Sequence, residues 1–106
     1  MPEYTIAAYR PKPGQEAALL ACVRDHHPIL RKEGLVTGRG VTVLRAPDGV
    51  IVEIFEWKSR EAVEAAHKNP AVLVLWERFS ACSDFATLAE LPGAAKPFPH
   101  FEFVAL

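Results

Sequence analysis

The chain has 106 residues, half of them hydrophobic, and its 12 Lys and Arg residues nearly balance 13 Asp and Glu residues. This length fits a single domain, residues 1–106, and the near-neutral charge offers no basic face to nucleic acid or to an anionic membrane. The longest apolar run, residues 71–76, is much shorter than the roughly 18 residues of a membrane-spanning helix. Cys22 and Cys82 lack the Cys-x-x-Cys spacing, and the N-terminus lacks the basic and apolar regions of a signal peptide. We therefore expect a cytoplasmic domain with reduced thiols and no nucleic-acid or membrane partner.

A strand and a long helix are predicted at the start of the chain. Residues 4–9 are predicted as a strand that ends at Pro11-Lys12-Pro13-Gly14, because the prolines remove ladder donors and a Pro-Gly pair favours a turn. A helix is predicted from about Gln15 to Glu33, with Gly34 as its C-terminal cap.

A hairpin and two shorter helices are predicted next. Residues 41–46 and 50–57 are predicted as strands joined by Pro47-Asp48-Gly49, a sequence typical of a hairpin turn. Ser59 is predicted to cap a short helix. Asn69-Pro70 ends that helix, because a residue before proline avoids the helical region, and it also begins the next one.

The third helix is predicted to run to about Ser83, followed by a proline-rich loop and a last strand over residues 101–106. The element order β-α-β-β-α-(α)-β predicts an α+β fold. It is the order of a ferredoxin-like four-stranded antiparallel sheet with its helices on one face.

The strands are apolar on both faces, which predicts that the sheet face away from the helices is also covered. In the strand over residues 50–57, Val50, Val52 and Ile54 point one way, whereas Ile51, Phe55 and Trp57 point the other. Soluble monomers rarely expose an apolar face of that size. We therefore expect a homodimer joined through the open sheet faces, with the apolar tail contributing to the interface.

Several segments resemble one known family. They are Glu53-Ile54-Phe55-Glu56-Trp57-Lys58-Ser59-Arg60-Glu61-Ala62, then His67, Asn69-Pro70 and Leu75-Trp76. With this element order, the chain resembles the dimeric α/β-barrel superfamily in its antibiotic biosynthesis monooxygenase-like branch. The resemblance implies a homodimer whose two sheets form a central barrel, with a small cavity between sheet and helices in each subunit. Such motifs are specific for a fold and weak for chemistry.

The four histidines are the first candidates for a site. His26 lies on the apolar stripe of the first helix, where it is either a core histidine bonded to a backbone carbonyl or a group that faces a ligand. His27 is predicted at the partly solvated rim of that stripe. His67 ends the second helix, where it is either a cation favoured by the helix dipole or, as the resemblance implies, part of the cavity wall. His100 is predicted to be structural, and no histidine has a carboxylate or second histidine four residues away on a helix, so we expect no metal.

Glu53 and three aromatic residues are the remaining candidates. Glu53 shares a strand face with apolar residues, so its carboxylate either pairs with Arg45 on the neighbouring strand or has a raised pKa in a cavity. Trp57, Trp76 and Phe79 are predicted as core or cavity walls.

The leading functional hypothesis is a cofactor-independent monooxygenase that acts on a small aromatic molecule, a quinol or polyketide-like substrate. His67 and His26 would be catalytic, and the substrate would contact Trp76, Phe79, Glu53 and Trp57. One branch of the superfamily degrades haem through an asparagine, a tryptophan and a histidine, but the corresponding positions here fall near Ala7, Ala66 and Trp76. We therefore expect no haem and no other cofactor. The alternative is a non-catalytic homodimer that binds a small ligand or serves as a stress-response module.

Overall fold

The computed structural model describes all residues, 1–106, as an α+β fold with one antiparallel sheet and three α-helices. None of the helices combines the length and the apolar character that a membrane crossing requires. In chain order the elements are β1 (Glu3–Pro11), α1 (Glu16–Lys32), β2 (Thr42–Arg45), β3 (Ile51–Trp57), α2 (Arg60–Ala66), α3 (Pro70–Cys82), β4 (Ser83–Ala86), a 3₁₀ turn (Leu88–Glu90) and β5 (Glu102–Phe103).

The predicted starts of α2 and α3 and the predicted glycine cap of α1 are confirmed, whereas α2 ends at Ala66, three residues before Asn69. Ser59 Oγ accepts a hydrogen bond from the Ala62 N–H at 3.1 Å at the start of α2. Asn69 Oδ1 accepts two hydrogen bonds, at 2.9 and 3.2 Å, from N–H groups in the first turn of α3. Gly34 follows α1 with φ +73°, a conformation that L side chains rarely adopt. These contacts satisfy backbone groups that a helix end otherwise leaves unpaired.

The prediction of four strands is wrong, because the sheet has five strands in the order β4-β1-β3-β2-β5. After α3 the backbone becomes extended at Ser83, and β4 pairs with the free edge of β1, with Tyr9 opposite Phe85. The C-terminal strand is shorter than predicted and pairs with the opposite edge, with Leu44 opposite Phe103. Both edges of the inner three strands are therefore paired, which satisfies backbone donors and acceptors that would otherwise be exposed.

The helices cover one face of the sheet, and most of the hydrophobic core lies between them. Alternate residues of β1 and β3 point to this face, including Tyr9, Ile51 and Phe55. They pack against side chains of α1 and α3, among them Leu19 and Phe79.

The other face of the sheet, which we call the far face, is partly covered by the chain itself. The segment over residues 87–101 connects β4 at one edge to β5 at the other, and its Leu91 is buried with Ala8, Val50 and Val52. Beyond this cover, Tyr4 and Ile6 remain 60% and 49% exposed.

The end of this segment is held against β2. Arg45 forms ion pairs with Glu16 of α1, at 2.6 Å, and with Glu102 of β5. The Val104 N–H donates to the Val43 carbonyl at 2.9 Å, and the Val104 side chain is buried in the main core. Exposed ion pairs contribute only up to about 1 kcal/mol, so burial of Val104 supplies much of this attachment.

We expect Leu91→Ala to lower the free energy of unfolding by about 2 kcal/mol, because it removes a buried side chain and leaves a cavity under the segment. Leu88→Ala is the matched control. Leu88 lies one turn earlier and is 47% exposed, so its truncation should cost about 0.5 kcal/mol or less. Urea unfolding of the two variants makes the comparison, and equal losses would show that the segment does not pack on the far face.

Candidate functional site

A cavity of about 640 Å³ lies between the floor formed by β1 and a wall formed by α3, with β3 and the end of α2 closing its sides. Its lining is mostly hydrophobic and aromatic, and it is open to solvent beside the exposed residues His67 and Phe85. Its size lies within the range of about 300–1,000 Å³ typical of small-molecule sites. Five of the six residues predicted from the sequence line it, namely His26, His67, Trp57, Trp76 and Phe79.

The sixth predicted residue, Glu53, lies behind the lining and is completely buried. Its Oε1 accepts a hydrogen bond from the Tyr9 hydroxyl at 2.7 Å. His26 Nδ1 lies 2.9 Å from Oε1 and 3.1 Å from Oε2 of the same carboxylate. Both partners come from other elements, β1 and α1, so the Glu53 carboxylate links the sheet to the first helix beneath the cavity.

The predicted pairing of Glu53 with Arg45 is wrong. In the β2–β3 ladder Val43 lies opposite Glu53, whereas Arg45 lies opposite Ile51, two residues farther along the sheet. From there the Arg45 guanidinium reaches Glu16 and not the buried carboxylate. Glu53 is therefore held by neutral hydrogen-bond donors.

Trp76 determines which nitrogen of His26 carries the proton. The indole Nε1–H lies 3.2 Å from His26 Nε2, and an indole nitrogen can only donate. His26 Nε2 is therefore the acceptor, and Nδ1 carries the proton that is donated to Glu53. The imidazole is thus a neutral group between a carboxylate and an indole, and not a core histidine bonded to a backbone carbonyl.

The aromatic rings of Phe55 and Phe79 fix the orientation of His26. Their centroids lie 5.5 and 5.1 Å from the centroid of the imidazole, in edge-on arrangements. The side chain itself is only 3% exposed. This packing holds the imidazole in one position relative to Glu53.

His67 lies at the mouth of the cavity. Its Nδ1 lies 2.8 Å from the Val63 carbonyl oxygen, one helical turn earlier, and its ring contacts Trp76 edge-on at 5.0 Å. Because a carbonyl only accepts, Nδ1 carries a proton and Nε2 of the neutral ring keeps a free lone pair. His67 therefore follows the last residue of α2 as its C-terminal cap and also lines the cavity, the position that the resemblance implied.

Tyr9 is the member of this network that sequence analysis missed. It lies in β1, stacks on Phe79 with centroids 4.6 Å apart, and lines the cavity. Burial of the phenol, and next the negative charge of Glu53, raise the pKa of Tyr9 far above its ordinary value of about 10. Tyr9 therefore remains a hydrogen-bond donor to the carboxylate throughout the range in which the protein is folded.

The other two histidines lie outside the cavity lining. His27 is only 7% exposed, which makes the predicted position at a solvated rim wrong, and its Nε2 has no hydrogen-bond partner. Burial lowers the pKa of His27 below its ordinary value. His100 is exposed in a separate shallow groove beside Glu102. No group of three or more His, Cys, Asp or Glu side chains is arranged to hold a metal ion.

We compared the chain with known protein families, curated proteins and solved structures. No protein-family model, curated protein or solved structure matches the chain.

We expect the Tyr9 phenol to stay protonated until the protein unfolds in alkali, because burial and Glu53 disfavour the phenolate. The Tyr4→Phe variant leaves Tyr9 as the only tyrosine, so tyrosinate absorbance in the near ultraviolet then reports on it alone. The absorbance should rise only together with the loss of circular dichroism. The same variant in denaturant is the control and should titrate near pH 10. A midpoint near pH 10 in the folded protein would contradict the buried Tyr9–Glu53 hydrogen bond.

Proposed function

We propose that this protein is a cofactor-independent monooxygenase that acts on a small, neutral aromatic molecule, and that it belongs to the antibiotic biosynthesis monooxygenase-like branch of the dimeric α/β-barrel superfamily. The observation that carries the proposal is the aromatic cavity that His26 lines, with the Glu53 carboxylate bonded to His26 behind the lining and His67 at the mouth. Polar groups that converge on an apolar cavity are typical of a small-molecule site.

The strand order supports the family assignment. The four strands β4-β1-β3-β2 follow each other as in a ferredoxin-like sheet, with the helices on one face, and β5 is an addition at the edge of β2. The segments that carry the sequence resemblance lie on β3, α2 and α3, which enclose the cavity.

The charge of the lining favours a neutral substrate. No lysine or arginine lines the cavity, whereas Glu77 does, and the Glu53 carboxylate lies directly behind it. A carboxylate or phosphate ligand would meet negative charge without a compensating cation. The free lone pair on His67 Nε2 instead suits a phenol or another group that donates a hydrogen bond.

In the proposed reaction the substrate itself reduces oxygen. An anthrone loses a proton from its CH₂ carbon to His67 Nε2, and the resulting anion supplies the electrons that reduce O₂. One oxygen atom becomes the new quinone carbonyl, and the other leaves as water with the two hydrogens of that carbon. His67 acts as the general base, and the apolar aromatic walls around Trp76 and Phe79 favour the delocalised anion over a localised one.

One observation favours the alternative, a homodimer that binds a small ligand without catalysis. Every polar atom of the Glu53–His26 pair already has a partner within the protein, since Trp76 occupies His26 Nε2. A binding module needs no free base, and the same cavity would then hold a neutral aromatic ligand by packing.

Oxygen consumption decides between the two functions. The purified protein should consume O₂ with at least one member of a panel of anthrones and quinols, without added metal or cofactor. We expect His67→Gln to lower kcat about 100-fold, because it removes the general base. His100→Gln is the matched control, since His100 lies outside the cavity, and it should retain full activity. Consumption by no substrate, or equal activity of the two variants, would contradict the enzyme proposal.

The proposal includes a homodimer joined through the part of the far face that the chain does not cover itself. Tyr4 and Ile6 of β1 are exposed there, and Ile54 lies opposite Ile6 in the ladder. Exposed Phe98 and Phe103 on the C-terminal segment would extend the interface. A large apolar surface left exposed on one face of a sheet would be typical of a protein interface.

We expect light scattering to give twice the subunit mass of 11.7 kDa at micromolar concentration. Ile6→Glu should yield a folded monomer, because it places a charge at the centre of the interface. Val74→Glu, at an exposed apolar position on α3, is the control and should remain a dimer. A wild-type monomer would contradict the proposed assembly.

A further inference from the structure

We propose that Trp76 is a movable cover over His26 and that the site becomes competent when a ligand displaces it. In that state an O–H or N–H group of the ligand replaces the indole N–H as the donor to His26 Nε2. Trp76 is then a positioning residue, which determines when the Glu53–His26 pair meets the substrate.

His26 is the member of the pair that lines the cavity, and its Nε2 is bonded to a second lining residue, Trp76. Glu53 uses its carboxylate for Tyr9 and for His26 Nδ1, at 2.7 to 3.1 Å, and is completely buried. A carboxylate that holds the Nδ1–H of an imidazole fixes its tautomer and strengthens its other nitrogen as a proton acceptor. Trp76 donates a hydrogen bond to that nitrogen. The Glu53–His26 pair is therefore assembled, but its free acceptor is blocked by the indole.

Trp76 is the member of the network with the greatest freedom to leave. Its hydrogen bond to His26 is the longest of the set, at 3.2 Å, and its side chain is half-buried, whereas His26, Glu53 and Tyr9 are buried. The indole also borders the open cavity and contacts the exposed ring of His67. A change of side-chain rotamer can therefore move the indole toward the mouth without disturbing the buried carboxylate.

A ligand must replace the lost donor to make this exchange favourable. An apolar ring that displaced the indole would leave the buried His26 Nε2 without a partner, which carries an energetic penalty. A phenol can supply both the ring and the donor. The cavity should therefore bind phenol more tightly than benzene by a margin larger than their difference in size explains, because only phenol donates a hydrogen bond.

The first experiment titrates ¹⁵N-labelled wild-type protein with phenol and, separately, with benzene under nitrogen. Phenol should shift the Trp76 indole N–H resonance upfield in a saturable manner, because that N–H loses its acceptor. The resonance is assigned by its disappearance in Trp76→Phe, the only other indole being that of Trp57. Benzene should leave the Trp76 hydrogen bond in place. An unmoved Trp76 resonance at saturating phenol, or the same upfield shift with both probes, would overturn the proposal.

The second experiment measures phenol affinity. Trp76→Phe keeps an aromatic ring but removes the donor, so phenol no longer has to displace a hydrogen bond and should bind about three- to tenfold more tightly. Tyr4→Phe, which removes a polar group from an aromatic side chain on the far face, should bind phenol as the wild type does. Equal or weaker binding by Trp76→Phe would overturn the proposal.

The inference rests on the proposed function only in treating this cavity as the ligand site. Both experiments proceed without oxygen or turnover. If the protein binds phenol in this way but consumes no O₂, the Trp76 cover is supported and the monooxygenase proposal is wrong. If it consumes O₂ but phenol leaves the Trp76 hydrogen bond in place, the monooxygenase proposal is supported and the Trp76 cover is wrong.

Discussion

The burial of the Glu53 carboxylate is the constraint on which the rest of the site depends. An ionised group with no exposure is strongly unfavourable unless hydrogen bonds compensate it. Here the compensation comes from the hydroxyl of Tyr9 and the Nδ1–H of His26. The Glu53 carboxylate therefore holds both β1, which carries Tyr9, and α1, which carries His26. A hydrophobic residue of similar size would fill the space without this cost. Stability alone therefore does not account for a carboxylate at this position.

Much of the fold follows from local sequence signals. Ser59 and Asn69 have side chains that cap helices, and the Asp48-Gly49 pair suits a hairpin turn, so each acts on backbone groups within a few residues. Strand β4 carries no such signal. Its four residues, two of them exposed, form a strand only because α3 delivers them to the open edge of β1. Tertiary contacts therefore determine that β4 forms, and they also determine that β5 pairs with β2.

The candidate site was predictable residue by residue but not as a network. Sequence alone placed a carboxylate and a histidine on core-facing positions; the histidine lines the cavity, and the carboxylate lies behind it. Their mutual contact spans 27 residues, and the contact between Glu53 and Tyr9 spans 44. Arg45 was the nearest cation in the predicted hairpin, but strand register placed it beyond reach of Glu53. Tyr9 offered no local signal, because an aromatic residue in a strand is common in any sheet.

The place of β1 inside the sheet has a consequence for how the protein folds. Both of its neighbours, β3 and β4, come later in the chain, and the pairing of Tyr9 with Phe85 encloses α1, β2, β3, α2 and α3. Contacts between such distant residues carry a large loop-closure entropy and slow the folding of small domains. Because β1 is also the floor of the cavity, the cavity requires the same long-range pairings that complete the sheet. A partly folded chain therefore has no early, separate binding site.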